Sequence, residues 1–426
     1  MRDRPGSRAL PFVPMRSLFP ALGTDFAFLE NAGGSQVPAS VIDAIGDHLR
    51  HDCCQLGAGY PASDRATATV ERAHRFMDRF VNGEGLGRVI LGSSSTSLFH
   101  VLAHAYAPTI RPGDEIVVCD QGHEANIGCW LELERAGATI RWWKVDPGSG
   151  SLSLDALAEV LTDRTRIVAF PQVSNLLGEI VDVAGATRLA HEVGAKVVVD
   201  GVAYAPHRAI DVATWGCDFY AWSTYKVYGP HMGGLFGRFD AFAELRGPNH
   251  FFIANDELPY KFELGGASHE GCAGLNGLAP LLGVLANGAN ATSTTAEDCD
   301  RDTIVAAFDA MTALEATVQA HLLERLAAIP GVRLVGPRSA DTGVRVATVS
   351  FLHEEIGPEA IVNRVRDAGV GIRHGHMYAH RLCTAMGIEP DPGVVRISAV
   401  FYNTIEEVDR CVDAIESCVG AHSNAT

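Results

Sequence analysis

Lys196-Val197-Val198-Val199-Asp200 reads as a short strand that stops on an acid. Its unbroken apolar run, without polar alternation, is the pattern of a strand covered on both faces, and such strands belong to parallel sheets. Ligands gather at the carboxyl ends of strands in these sheets, so Asp200 stands where chemistry is expected. Outward from this stretch, short apolar runs at 89–91, 115–119, 139–143 and 166–170 precede it, and 218–222 and 234–238 follow. Amphipathic segments at 98–106, 127–135, 154–161 and 184–193 lie between them and read as helices. Strand-helix alternation of this kind predicts an α/β fold whose mostly parallel sheet lies between helices.

Beyond residue 275 the composition turns rich in Ala, Leu and Gly, and one long helix is expected over 300–327. Strands at 332–335, 344–351, 371–373 and 394–398, with helices near 358–368 and 404–419, predict a smaller C-terminal α/β domain. The 426 residues exceed one core. The reading is an arm over 1–25, a large domain over 26–295 and a small domain over 296–426, with the N-terminal segment packing on the small domain and fraying from residue 421.

Lys226 lies in Ala221-Trp222-Ser223-Thr224-Tyr225-Lys226-Val227-Tyr228-Gly229-Pro230, twenty-six residues after Asp200. A Ser-x-x-Lys beside a Gly/Pro turn, preceded by a strand-ending acid, suits pyridoxal 5′-phosphate. The amine forms a Schiff base with the cofactor aldehyde, and the acid keeps the pyridine nitrogen protonated so that the ring withdraws electrons. Gly92-Ser93-Ser94-Ser95-Thr96-Ser97 falls between a strand and a helix and offers hydroxyls and N–H groups to a phosphate. Five consecutive hydroxyl residues exceed what a helix cap requires. His123 follows one strand end and suits stacking on the pyridine face. Asn175 follows another and suits hydrogen bonding to the phenolic oxygen; alone, a loop His is more often a surface residue, and Asn175 reads equally as a turn residue.

Taken in order, His-x-x-Asn from His123, Val-Ser-Asn-x-Leu-Gly from Val173, Val-Val-Asp-Gly from Val198, Ser-x-x-Lys-x-Tyr-Gly-Pro from Ser223 and Arg-x-Ser-x-x-x-Tyr-Asn-Thr from Arg396 resemble the class V aminotransferase superfamily. The likeness runs from Phe28 to Cys418 and is nearest to the cysteine desulfurase and selenocysteine lyase branch of pyridoxal phosphate fold type I. It implies a large domain with a seven-stranded-type sheet. It implies Lys226, Asp200 and His123 as catalytic groups, with Ser95, Thr96, Asn175, Ser223 and Tyr225 also on the cofactor. Arg396 would take the substrate carboxylate, since a guanidinium pairs bidentately with an acid.

The departures from that branch bear on the reaction. Ala203 stands where desulfurases carry Gln, and Tyr225 where the residue before the Lys is usually His. The nucleophilic Cys closes an Arg-x-Gly-x-x-Cys-type segment; here Arg373-His374-Gly375-His376-Met377-Tyr378 ends on a phenol. Arg373, His374 and His376 are therefore read as substrate-binding, the histidines as acid or base toward a leaving group. Glu263 to Glu270 resembles the Gly-rich loop that reaches the neighbouring subunit's site, which predicts a homodimer with Gly265 to Glu270 near that site.

The expected function is Cα proton abstraction from an amino-acid-type substrate, leading to β-elimination of the C–S lyase kind. The alternatives are transamination or epimerisation, desulfuration through Cys383, and a non-catalytic partner protein that binds pyridoxal phosphate. A net charge of −17 argues against nucleic-acid and anionic-membrane partners. No stretch approaches the length of a membrane span, and 1–14 is too short and Pro-broken for a signal core, so a cytoplasmic location is expected. The ten cysteines show no C-x-x-C pair and read as reduced thiols, and no metal is expected at His374, His376 and His380.

Overall fold

The valine run becomes the middle of a sheet. A computed structural model of the protein describes residues 15–288 and 291–423, with side chains to 421. Its central sheet contains β1 (Gly87–Gly92), β2 (Glu115–Cys119), β3 (Thr139–Trp143), β4 (Thr165–Pro171), β5 (Lys196–Asp200), β6 (Phe219–Ser223) and β7 (Gly233–Arg238), in the order β1-β7-β6-β5-β4-β2-β3. Only β7 runs against its neighbours. Val197 and Val199 enter a core on one face with Trp222 and Phe236. Val198 enters the other with Ile116, Val118 and Phe219. Both faces are therefore dry, which is why the run shows no alternation; each buried valine contributes roughly 1.5–3 kcal/mol.

A second sheet holds β8 (Val332–Val335), β9 (Thr348–His353), β10 (Arg373–Gly375) and β11 (Val394–Ser398), in the antiparallel order β10-β11-β9-β8. Ala27–Phe28 pairs in parallel with Val370–Gly371, and Ala27 and Leu29 join this sheet's core. The long helix Arg301–Ala328 serves both cores. Ile304, Phe308 and Met311 pack under the central sheet, and Val318, Leu322 and Leu326 under the small one.

Four expectations change. The helix read over 127–135 is a single α-turn, Gly128–Leu131, that tightens into the 3-10 segment Glu132–Ala136 and stops at Gly137 in the left-handed region. The strand read from 344 starts only at Thr348, because Val344 and Val346 hydrogen-bond instead to Ile180 and Gly178 of the large lobe. The strand read over 371–373 is two, one pairing with Ala27–Phe28 and one with β11. The last helix, Ile405–Ser423, continues past the expected fraying point. Residues 1–14 of the arm, including the stretch read for a signal core, and 424–426 lie outside the described residues; Phe19 and Leu22 pack into the central core.

Candidate active site

Five strand ends meet in one cavity. Asp200 closes β5, Ser223 closes β6 and Lys226 follows it, Asn175 follows β4, His123 follows β2, and Ser95 and Thr96 follow β1; all line the same space, together with Tyr225 and Ala203. β1 leads directly into the helix Ser95–Tyr106. Ser94 and Ser97 form a reciprocal capping box, and Ser93 hydrogen-bonds to Ser97. The cap thus uses three of the five hydroxyls and leaves Ser95 and Thr96 to the cavity. Ser95 Oγ lies 2.9 Å from Ser223 Oγ. That approach needs Gly233 on β7, where a Cβ would fall 2.4 Å from the backbone of Ser94 and Ser95. Tyr225 stacks on His231, with centroids 4.3 Å apart and planes within 7°.

Burial sets the electrostatics. One Asp200 oxygen accepts the Val202 N–H at 2.9 Å. Burial pushes this carboxyl up to about 6, while the Val202 N–H and the Lys226 charge pull it down. The Lys226 amine is pushed down to about 8, first by burial and then by Arg396, with Asp200 and Glu30 opposing. His123 falls to about 4 through burial and the charges of Lys226 and Arg396, so its ring is neutral at pH 7.

These residues fit pyridoxal phosphate on structural grounds. Asn175 Oδ1 is buried without a hydrogen-bond partner, and a buried polar atom of this kind is costly unless something fills the site. Free N–H groups and hydroxyls at a helix start suit a dianion. Asp200 suits a ring nitrogen and Lys226 an aldehyde.

The residues expected to meet the substrate, Arg373 and Arg396 among them, lie outside that lining and are assembled differently. Arg396, on β11, is buried and donates to Glu30 Oε1 at 3.2 Å and to the Asn175 carbonyl at 3.1 Å. Its pKa falls to about 10 through burial, so it remains charged at neutral pH. Met377 and Tyr378 both adopt left-handed backbone, at φ 48 and 62, which costs about 1 kcal/mol or more per residue. Contacts offset this. The Met377 carbonyl accepts from Asn175 Nδ2 at 2.7 Å, and the Tyr378 carbonyl accepts the Glu124 N–H at 2.9 Å. Arg381 forks onto Glu124 with two bonds of 2.9 Å, and the Tyr378 ring lies against His123 with centroids 4.9 Å apart.

His374 and His376 do not line the cavity. His374 Nδ1 lies 3.3 Å from the Pro392 carbonyl, and His376 Nδ1 accepts the Tyr378 N–H. Cys383 is fully buried in the apolar cluster around Leu177 and Leu382, and burial pushes its thiol up to about 11, which argues against a nucleophile there. Glu263 is buried against His74 and the Leu91 N–H, and Ser268 is engaged as the cap of His269–Asn276. Among the described residues all ten cysteines are free thiols, no group of three or more His, Cys, Asp or Glu is placed to hold a metal, and no helix is long and apolar enough to cross a membrane. Sequence reasoning missed Glu30 and His231; neither sits in a motif, and both are recognisable only by what they touch.

The family model described as aminotransferase class-V matches residues 27–290 and 304–411. An aminotransferase-like protein of Gibberella zeae, FGM3, is 39% identical over 410 residues, covering 94% of this chain and 97% of the relative. A cysteine desulfurase of Salmonella gallinarum is 30% identical, covering 94% and 97%. Among solved structures, the cysteine desulfurase CsdA of Escherichia coli superposes with a TM-score of 0.80 at 25% identity, covering 96% of this chain and 99% of that one. A fold and cleft of this design define a pyridoxal phosphate-dependent enzyme of fold type I. The chain belongs to the class V aminotransferase family.

Proposed function

We propose that this enzyme removes the Cα proton of a small amino-acid substrate, with Lys226 as the base, and that loss of a β-substituent follows. When bound, pyridoxal phosphate supplies an electron sink for the pair left at Cα. Arg396 holds the substrate carboxylate, which fixes the Cα–H bond relative to Lys226. The low pKa of Lys226 leaves a fraction of its amine free to accept a proton near neutral pH. Asp200, deep in the cleft, holds a proton or positive charge at the ring nitrogen. Neutral His123 offers an apolar face for stacking, and Ser95, Thr96, Ser223 and Tyr225 take the phosphate. Tyr378, its ring against His123, stands where a desulfurase would present its thiol.

The observation that carries this reading is the conjunction of Lys226 and Asp200 in one cavity while the candidate thiol, Cys383, is buried in an apolar cluster. It favours Cα chemistry without a persulfide carrier. Transamination and epimerisation share the first step and part from elimination afterwards. We further read the chain as a cytoplasmic homodimer whose Gly265 to Glu270 loop approaches the second site. A product survey with cysteine, cystine, cysteine sulfinate and alanine tests the function. Pyruvate from the β-substituted substrates without an amine acceptor is expected. Product from alanine alone, requiring a keto acid, would instead establish transamination.

A further inference from the structure

β10 and β11 place two arginines in an unusual register. Arg373 and Arg396 sit directly opposite each other across the antiparallel pair, where like charges repel. Among the described residues the one acid paired with either is Glu30, and the same oxygen serves both. Glu30 Oε1 lies 3.2 Å from Arg396 Nη2 and 3.9 Å from Arg373 Nη1. Two guanidiniums thus share one carboxylate, leaving a surplus positive charge. Arg396 also keeps a donor in reserve, since its Nε is buried without a partner although the residue is only 3% exposed.

The seat of the Glu30 carboxylate is built by an absence. A Cβ at Gly33 would fall 2.2 Å from Glu30 Oε1. The backbone around it is fixed, because Asn31 Nδ2 donates to the Ser398 carbonyl at 2.8 Å and to Asn403 Oδ1 at 3.0 Å. The Glu30 side chain is a third exposed.

We propose that Glu30 is an internal stand-in for the substrate carboxylate, seated on Arg396 in the free enzyme and passed toward Arg373 when an acid ligand takes the Arg396 fork. A second carboxylate on Arg396 would otherwise face Glu30 across one guanidinium, at a repulsive distance. Arg373, already 3.9 Å away and more exposed, is the neighbouring charge that can receive Glu30. Glu30 is therefore a specificity-determining residue. It weakens binding of any anion that fails to displace it and keeps Arg396 neutralised between turnovers. This inference rests on the reading of Arg396 as the carboxylate receptor.

The test titrates propionate, and neutral propionamide as its control, into the pyridoxal phosphate-loaded protein by ligand-observed NMR. Glu30→Gln should tighten propionate by about two- to fivefold, the scale of a charge interaction at a partly exposed site, and leave propionamide unchanged. Gly33→Ala keeps the acid but denies its seat, and should move propionate in the same direction. Unchanged or weaker propionate binding in Glu30→Gln overturns the proposal, as does equal tightening of propionamide. Arg396→Ala separates the two levels. If it weakens propionate while Glu30→Gln fails to tighten it, only the role of Glu30 is lost. If Arg396→Ala leaves propionate unaffected, the receptor reading fails, and the stand-in with it.

Discussion

Asp200, Lys226, His123, Asn175 and Ser95 each close or follow a strand of a single sheet, all at one edge, whereas Arg373 and Arg396 come from the second sheet, and Glu30 and Tyr378 from segments outside both. At the first end a ladder of backbone hydrogen bonds fixes every position before any side chain is chosen. At the second, the Arg396 side chain is held by Glu30 and the Asn175 carbonyl, Met377 by the Asn175 amide, and Tyr378 by Glu124 and His123. Changes at the sheet edge should therefore remove chemistry and leave the assembly intact. Changes at the other end should loosen the fit and leave the chemistry possible.

The largest effect that would sharpen this contrast is at Lys226. Lys226→Ala should abolish borohydride-fixed cofactor labelling and lower Cα hydrogen exchange, followed by NMR in deuterated water, by at least about 10³-fold, the range of a lost base and covalent anchor. Labelling that persists at another lysine would break the contrast. Asp200→Asn should bind cofactor yet slow the same exchange by roughly 10²–10⁴-fold; a near-normal rate would mean that the acid is structural. Arg396→Ala should raise KM for amino-acid substrates by about 10–100-fold with a smaller change in kcat, as expected when a desolvated charge pair is lost.

The pH dependence of cofactor uptake probes the sheet edge without any substrate. The Lys226 amine, pushed down to about 8, is neutral above that pH and protonated below it. Only the neutral amine attacks an aldehyde. Uptake by cofactor-free protein should therefore fall about tenfold per unit below pH 8 and level off above it. A rate still climbing at pH 10 would show an ordinary lysine. The smallest effect is expected at Arg381, whose fork onto Glu124 is partly exposed. Arg381→Ala should cost about 1 kcal/mol or less, read as a few-fold loss in kcat/KM with cofactor affinity unchanged.

The two ends also differed in how far the amino-acid sequence exposed them. Asp200 and Lys226 were legible because a strand end and its following loop are contiguous, so residue type and local pattern carry the information together. Ser95 and Thr96 were legible for the same reason, though only the capping box showed why Ser93, Ser94 and Ser97 are spoken for. Glu30 was not legible. Its partner lies 366 positions away, and the cross-strand register of Arg373 and Arg396 leaves no trace in spacing. The break in the 127–135 helix was hidden for a related reason. Its apolar pattern is helical, but the segment ends in a tightened turn that only the left-handed Gly137 terminates.

The helix Arg301–Ala328 reaches from one core into the other, and near its middle Glu315 receives His207, Arg208 and the Ala347 N–H. Such a beam, bolted at its centre by a buried acid, ties the melting of the two lobes together. A fragment ending before it would expose the floor of the central sheet and lose its lower layer. Heating the intact chain should thus give one calorimetric transition, and a chain cut at residue 295 should fail to accumulate as folded material.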